Sequence, residues 1–188
     1  MKQIYIIEHL EPTIGRWCLI EYKHISEMVG KDNLWFTNIK KGSKQLEKFG
    51  KVIKESVSEL KLNDACVLDP EADIMLTPDD SKQFEYFIFG GILGDYPPRK
   101  RTKEELSRFI DCEKRNIGKE QMSTDNAIFV VKEIINGKEI KDLKFQDELV
   151  IHINDVESTI LPYRYNLVNG KPLVSEELVK FLKKKRKM

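Results

Sequence analysis

A largely apolar run over residues 84–88 empties into Phe89-Gly90-Gly91-Ile92-Leu93-Gly94-Asp95-Tyr96-Pro97-Pro98-Arg99. The run reads as a buried strand. The three glycines let backbone approach a ligand closely, and the two prolines stiffen the exit. A second loop of this kind follows at residues 116–127, with Ile117-Gly118 and Gln121-Met122-Ser123-Thr124-Asp125. Rigid loops at the carboxyl ends of strands are where open α/β sheets bind small molecules. Gly90, Gly91 and Gly94 lack the spacing of a dinucleotide fingerprint, and no Walker sequence is present. Ile92 and Leu93 suit a flat heterocycle better than a triphosphate.

The rest of the chain fits that frame. Strands are expected at about 3–7, 34–39, 65–68, 84–89 and 114–117. Between them Ile14, Trp17, Cys18, Tyr22, Ile25 and Met28 share one helical face, and residues 44–60 read as a second helix. Thr102 opens a third helix with Glu105 at the capping-box position. Ser123 or Thr124 caps a fourth, ending near Gly137. Strands alternating with helices imply βαβ units and a parallel sheet. After residue 148 the pattern changes to a strand pair, a tight turn at Asn169-Gly170 and a terminal helix with a basic end.

With 188 residues, the chain is read as one domain spanning 1–188, with a small C-terminal appendage over about 148–188. Its 32 basic and 31 acidic residues nearly cancel, so nucleic-acid binding would need a local patch. Cys18, Cys66 and Cys112 are scattered and fit a reducing, cytoplasmic setting rather than a disulfide framework. No metal-ligand spacing appears, and His24 and His152 are read as structural. Trp17 and Trp35 are read as core. No apolar stretch approaches bilayer length.

Four carboxylates compete for a chemical role. Glu8 and Glu11 lie at the end of the first strand, where they either solvate the following helix start or face the ligand cleft. Asp95 and Asp125 lie in the two loops, with an Asx turn and a helix N-terminal charge as the alternative readings. Arg99, Lys100, Arg101 and Lys103 form a basic patch that is either solvated or docks an acidic partner or RNA phosphates.

The segments Ile6-Ile7-Glu8-His9-Leu10-Glu11, Glu21-Tyr22, Leu68-Asp69-Pro70, the 87–99 run and Pro162-Tyr163-Arg164-Tyr165 carry a resemblance over nearly the whole chain. The chain resembles the SPOUT-class S-adenosylmethionine-dependent methyltransferases, the group that includes the eukaryotic ribosomal-protein arginine methyltransferase. The resemblance implies an α/β fold whose mostly parallel sheet is flanked by helices, with a C-terminal trefoil knot. It implies S-adenosylmethionine as cofactor, held by Leu68, Asp69, Pro70, Phe89, Gly90, Gly91, Ile92, Leu93, Gly94, Ile117, Gly118, Gln121, Met122 and Thr124. Thr124-Asp125 stands where bacterial tRNA guanine methyltransferases carry a glycine pair. The implied substrate is an arginine of a ribosomal protein. A tRNA or rRNA substrate is the alternative, as is a non-catalytic, cofactor-binding ribosomal module. The resemblance leaves both homodimer and monomer open.

A guanidinium is almost always protonated, so an arginine enzyme needs a carboxylate to hold it and accept a proton. The sequence ranks Glu8 first, Glu11 second and Asp95 third for that role. Arg99 and Arg101 are expected to dock substrate, and Gly91 is expected to border the adenosine slot.

Overall fold

The computed structural model describes residues 2–94, 97, 99–154 and 156–185. Its frame is a six-stranded sheet in the order β3-β2-β1-β5-β4-β6. The strands are β1 (Ile4–His9), β2 (Leu34–Thr37), β3 (Lys51–Val52), β4 (Ala65–Leu68), β5 (Tyr86–Gly91) and β6 (Glu113–Arg115). Every pairing is parallel. A parallel sheet is covered on both faces, which is why β1 and β5 read as near-continuous apolar runs. Alternation divides them: Tyr5, Ile7, Phe87 and Phe89 join one core cluster, Ile4, Ile6 and Ile88 the other.

The first cluster lies under helices α1 (Arg16–Val29), α2 (Ser43–Leu46) and α4 (Thr124–Ile135). The second lies on the opposite face, near α3 (Arg101–Glu105), and includes Val57 and Leu106. A separate antiparallel sheet follows: β7 (Phe145–His152), β8 (Ser158–Val168) and β9 (Lys171–Pro172). Asn169 and Gly170, both at positive φ, turn β8 into β9. With α5 (Glu176–Lys185), this sheet packs on α1 through Ile20, Ile151, Leu161, Leu178 and Leu182. Among the described residues no helix is long and apolar enough to cross a membrane.

One expected helix is different. Residues 44–60 form the short α2, then β3, then a tight turn at Val57–Glu59. Gly50 is the reason for the break: a Cβ there would collide with the Leu34 carbonyl, so the backbone lies against β2. Ser56 then caps the turn by accepting from Ser58 N–H, with Glu59 completing the box.

Strand order sets up the site. The chain reaches β4 first, folds back to β5 beside β1, then passes β4 to reach β6. β4 therefore lies between β5 and β6, and the loops leaving all three strands meet at one edge.

Gly91 does not face that edge. A Cβ there would lie 2.5 Å from the Tyr22 hydroxyl and 2.8 Å from Ile7 Cγ2. The glycine thus lets β5 pack under α1, and its space belongs to the core, not to a ligand. Gly91→Val should lower unfolding free energy by about 1–3 kcal/mol in urea denaturation. A variant as stable as the parent would show that α1 and β5 are packed differently.

Candidate functional site

The loops after β4, β5 and β6 enclose a cavity of about 300 Å³. Its apolar wall is Leu68, Phe89, Ile92, Ile117, Met122 and Ala127. Asp69, Pro70, Gly90, Gly94, Gly118, Gln121 and Thr124 also line it, and Arg99, Lys100, Arg101, Lys103 and Lys119 with Glu71 and Glu120 give it a charged, mainly basic side. Each loop is braced. Asp69 Oδ1 accepts from Glu71 N–H at 2.9 Å, and Asn116 Nδ2 donates to the Ala72 carbonyl at 2.9 Å. Gly118, at φ +106°, donates its N–H to Asn116 Oδ1 at 3.1 Å. Arg164 N–H donates to the Gln121 carbonyl at 2.8 Å, while its guanidinium bridges Glu120 and Asp147.

The cavity fits an adenosine-type group. One wall is apolar, glycines at 90, 94 and 118 expose backbone along it, and Gln121 Nε2 is buried without a hydrogen-bond partner among the described residues. A buried amide donor in that position costs free energy unless a ligand acceptor meets it. Gly94 keeps the space open, because a Cβ there would collide with that same Gln121 nitrogen. The cofactor residues expected from the sequence all line this cavity except two. Gly91 packs under α1, and Leu93 belongs to a neighbouring cavity.

That neighbour, about 200 Å³, shares Ile92, Gly94 and Met122 with the first. Trp17 and Glu21 of α1, Tyr163 and Tyr165 of β8, and Val174 and Leu178 before and on α5 surround it. Ser123 and Asp125 at the start of α4 form the rest, with Leu93. Tyr163 Oη donates to the Gly94 carbonyl at 3.1 Å, tying the two cavities together. Trp17 packs against the third core cluster, as expected, and also walls this cavity.

Two buried carboxylates line this cavity, Glu21 at 7% and Asp125 at 4% exposure. Asp125 N–H at the N-terminus of α4 donates to Glu21 Oε1 at 3.4 Å. Burial, then the Asp125 charge, push the Glu21 carboxyl up to about 8, against the pull of the Asp125 and Thr124 amides. Asp125 is engaged on both oxygens. Its Oδ1 accepts from Ser123 Oγ at 2.6 Å and Asn126 N–H at 2.8 Å, and its Oδ2 meets His24 Nδ1 at 2.8 Å. This aromatic-walled cavity, here called the tube, carries two buried carboxylates and suits a long side chain ending in a cation.

The carboxylates ranked by sequence are placed otherwise. Glu8 has the same parity as Ile4 and Ile6, so its side chain points to the face opposite α1. There it accepts from Thr37 Oγ1 at 2.5 Å, Ser56 Oγ at 2.7 Å and Val57 N–H at 2.9 Å. It lines neither cavity. Glu11 accepts from Leu93 N–H and Arg101 Nη1, both at 2.9 Å. It therefore latches the glycine loop from behind. Asp95 lies outside the described residues. Arg101 is gripped by Glu105 at 2.7 and 3.1 Å, and both Arg99 and Arg101 line the first cavity, not the tube. Asp125, already a sequence candidate, does border the tube. Sequence reasoning missed Glu21 as a site residue, though a glutamate between Trp17, Cys18, Tyr22 and Ile25 on an apolar helix face was the available signal.

Comparison with known proteins gives this geometry a family. Residues 4–188 match the family of SFM1-like protein arginine N-methyltransferases. Protein arginine N-methyltransferase SFM1 of Saccharomyces cerevisiae is 38% identical over 200 residues, covering 96% of this chain and 94% of the yeast protein. The crystal structure of the yeast arginine methyltransferase SFM1 complexed with SAM matches at TM-score 0.88 and 35% identity, over 100% of this chain and 93% of that one. Crystal structures of the yeast enzyme with SAH and with MTA match as well. Dual-specific Trm10 of Thermococcus kodakaraensis shares the fold alone, at TM-score 0.56 and 20% identity over 74% of this chain and 96% of that one. With a SPOUT-type parallel sheet and this degree of likeness, the chain belongs to the SFM1-like family of S-adenosylmethionine-dependent protein arginine methyltransferases.

Proposed function

We propose that the protein, as one domain over residues 1–188, methylates an arginine side chain of a ribosomal protein in the cytoplasm. The observation that carries this reading is the buried Glu21 at the base of an aromatic tube that shares a wall with the cofactor cavity. The cofactor residues are those of the larger cavity, with Gln121 Nε2 supplying an unused donor. The knot is part of the proposal, supported by β4 standing between β5 and β6.

When bound, S-adenosylmethionine supplies a methyl carbon whose bond to the sulfonium sulfur breaks as the bond to a guanidinium nitrogen forms. The protein's contribution is position and charge. Trp17, Tyr163 and Tyr165 hold the arginine stem and exclude water. Glu21, ionised by the arriving guanidinium, fixes the planar fork and orients a nitrogen toward the shared wall at Ile92, Gly94 and Met122. After transfer, the nitrogen surrenders its proton to Glu21. Asp125 stays fixed behind Glu21, raising its proton affinity so that it works as a base.

Glu21→Gln should keep cofactor affinity by calorimetry and lower methyl transfer by roughly 10²-fold or more, the scale of losing a general base. Stability separates this from misfolding. The carboxyl's folded value of about 8 lies above its ordinary 4.5, so the charge costs stability progressively as pH rises between the two. The glutamine variant should therefore melt no lower than the parent at pH 8.5. Full turnover in this variant would move the chemistry elsewhere.

The same group sets the pH profile. Guanidinium stays charged, so productive binding needs ionised Glu21, and kcat/KM should rise with pH through the raised Glu21 titration before levelling. A flat profile from pH 6 to 8 would contradict this.

Glu8→Gln provides the contrast. It strands at least one of three donors on the sheet's other face and should cost about 1–3 kcal/mol of stability. Methyl transfer at low temperature should stay near normal. A hundredfold loss in the folded variant would restore Glu8 as a catalytic group.

The substrate class is tested by labelled-methyl transfer into ribosomal fractions. RNase-resistant label recovered as methylarginine is expected. RNase-sensitive label would assign an RNA substrate.

A further inference from the structure

We propose that His24 is a positioning residue for methyl transfer, whose hydrogen bond to Asp125 governs how tightly Glu21 holds its proton. This rests on the reading of Glu21 as the proton acceptor.

Three features of the geometry lead there. His24 is one turn beyond Glu21 on α1 and lines neither cavity, so it does not meet substrate or cofactor. Its Nδ1 lies 2.8 Å from Asp125 Oδ2, with the two side chains 15% and 5% exposed. The donors to the other oxygen, Ser123 Oγ and the Asn126 amide, come from the same helix start as Asp125 itself. Among the described residues, the link to Asp125 Oδ2 comes from α1, the helix that carries Glu21. His24 therefore fixes the pair of buried carboxylates relative to each other.

The sign follows from charge. Imidazole with a proton on Nδ1 donates to Asp125 whether the ring is neutral or cationic. Donation draws charge from Asp125 and weakens its repulsion of Glu21. Without that donor, the Asp125 charge repels an ionised Glu21 more strongly, and Glu21 keeps its proton to higher pH. Other groups near Glu21 do not interfere. Burial pushes Cys18 up to about 11 and holds Tyr22 and Tyr165 well above their ordinary range, so all three are neutral there. Glu11 is tied to Arg101 and Leu93 N–H, and Glu177 of α5 is bridged to Arg16 and Lys23.

The test follows Glu21 directly. Protein carrying ¹³C at the glutamate carboxyls is titrated by NMR from pH 5 to 10, and the Glu21 resonance is identified by its absence in E21Q. His24→Leu should move the Glu21 midpoint up by about one pH unit, and the pH profile of methyl transfer with it. His24→Asn places an amide donor where Nδ1 stood and should return the midpoint to the parent value. Should the leucine variant not fold, His24→Phe keeps the ring volume without the donor and is read in the same way. A leucine or phenylalanine midpoint equal to the parent's would overturn the proposal, as would an asparagine variant that shifts as far as leucine. Failure of the underlying reading looks different: E21Q would then transfer methyl normally, whatever the midpoints do.

Discussion

Helix α1 is packed on two sides, and the site depends on that. Cys18, Tyr22 and Ile25 press on the parallel sheet, while Ile20 meets the β7–β8 hairpin and α5. A helix covered once keeps a polar stripe in water. A helix covered twice leaves a glutamate at the seam with nowhere to go. Glu21 is at that seam. Its ionisation is disfavoured by burial and by Asp125, and the amides at the N-terminus of α4 offset only part of that cost. An unpaired buried carboxylate is a poor stabiliser and a good base, which is what an arginine substrate requires.

Much of the frame was legible from residue type. The strand at 65–68 has the expected limits, and the ends of β4, β5 and β6 carry the loops that glycine and proline had marked. Local chemistry decided these features, so local reading found them. Residues 44–60 were misread because spaced apolar residues mimic a helix, while the deciding contact, Gly50 against the Leu34 carbonyl, joins residues distant in sequence. Glu8 stands at the correct edge of the sheet but on the wrong face. Position along a strand gives the edge, whereas the face depends on which neighbours share its parity. Glu21 was harder still. The second cover on α1 comes from Leu161 and Leu178, far along the chain, so the one local signal, a glutamate among apolar residues of the helix face, could not say what would cover it.

The acidic and basic residues near the glycine loop illustrate a related point. Glu11 and Arg101 suggested chemistry and docking, yet they spend their charges on each other and on Leu93 N–H. They hold residues 92–94 in the one arrangement that gives both cavities a common wall. Exposed pairs of this kind contribute little stability, but this one is mostly covered, at 16% and 15% exposure, and is reinforced by Glu105.

The common wall explains why glycine stands at position 94. The loop there must pass between a buried amide and an aromatic ring. Any side chain would drive Gln121 or Tyr163 from its place. Tyr163 returns the contact by donating to the Gly94 carbonyl, so the aromatic wall of the tube is hydrogen-bonded to the backbone of the cofactor cavity. The two cavities therefore cannot be adjusted separately. A ligand that moves residues 92–94 also moves Tyr163, and a side chain that displaces Tyr163 strains the cofactor loop. Methyl transfer needs its two reactants at a fixed separation. A segment shared by both cavities sets that separation more rigidly than two independent walls would.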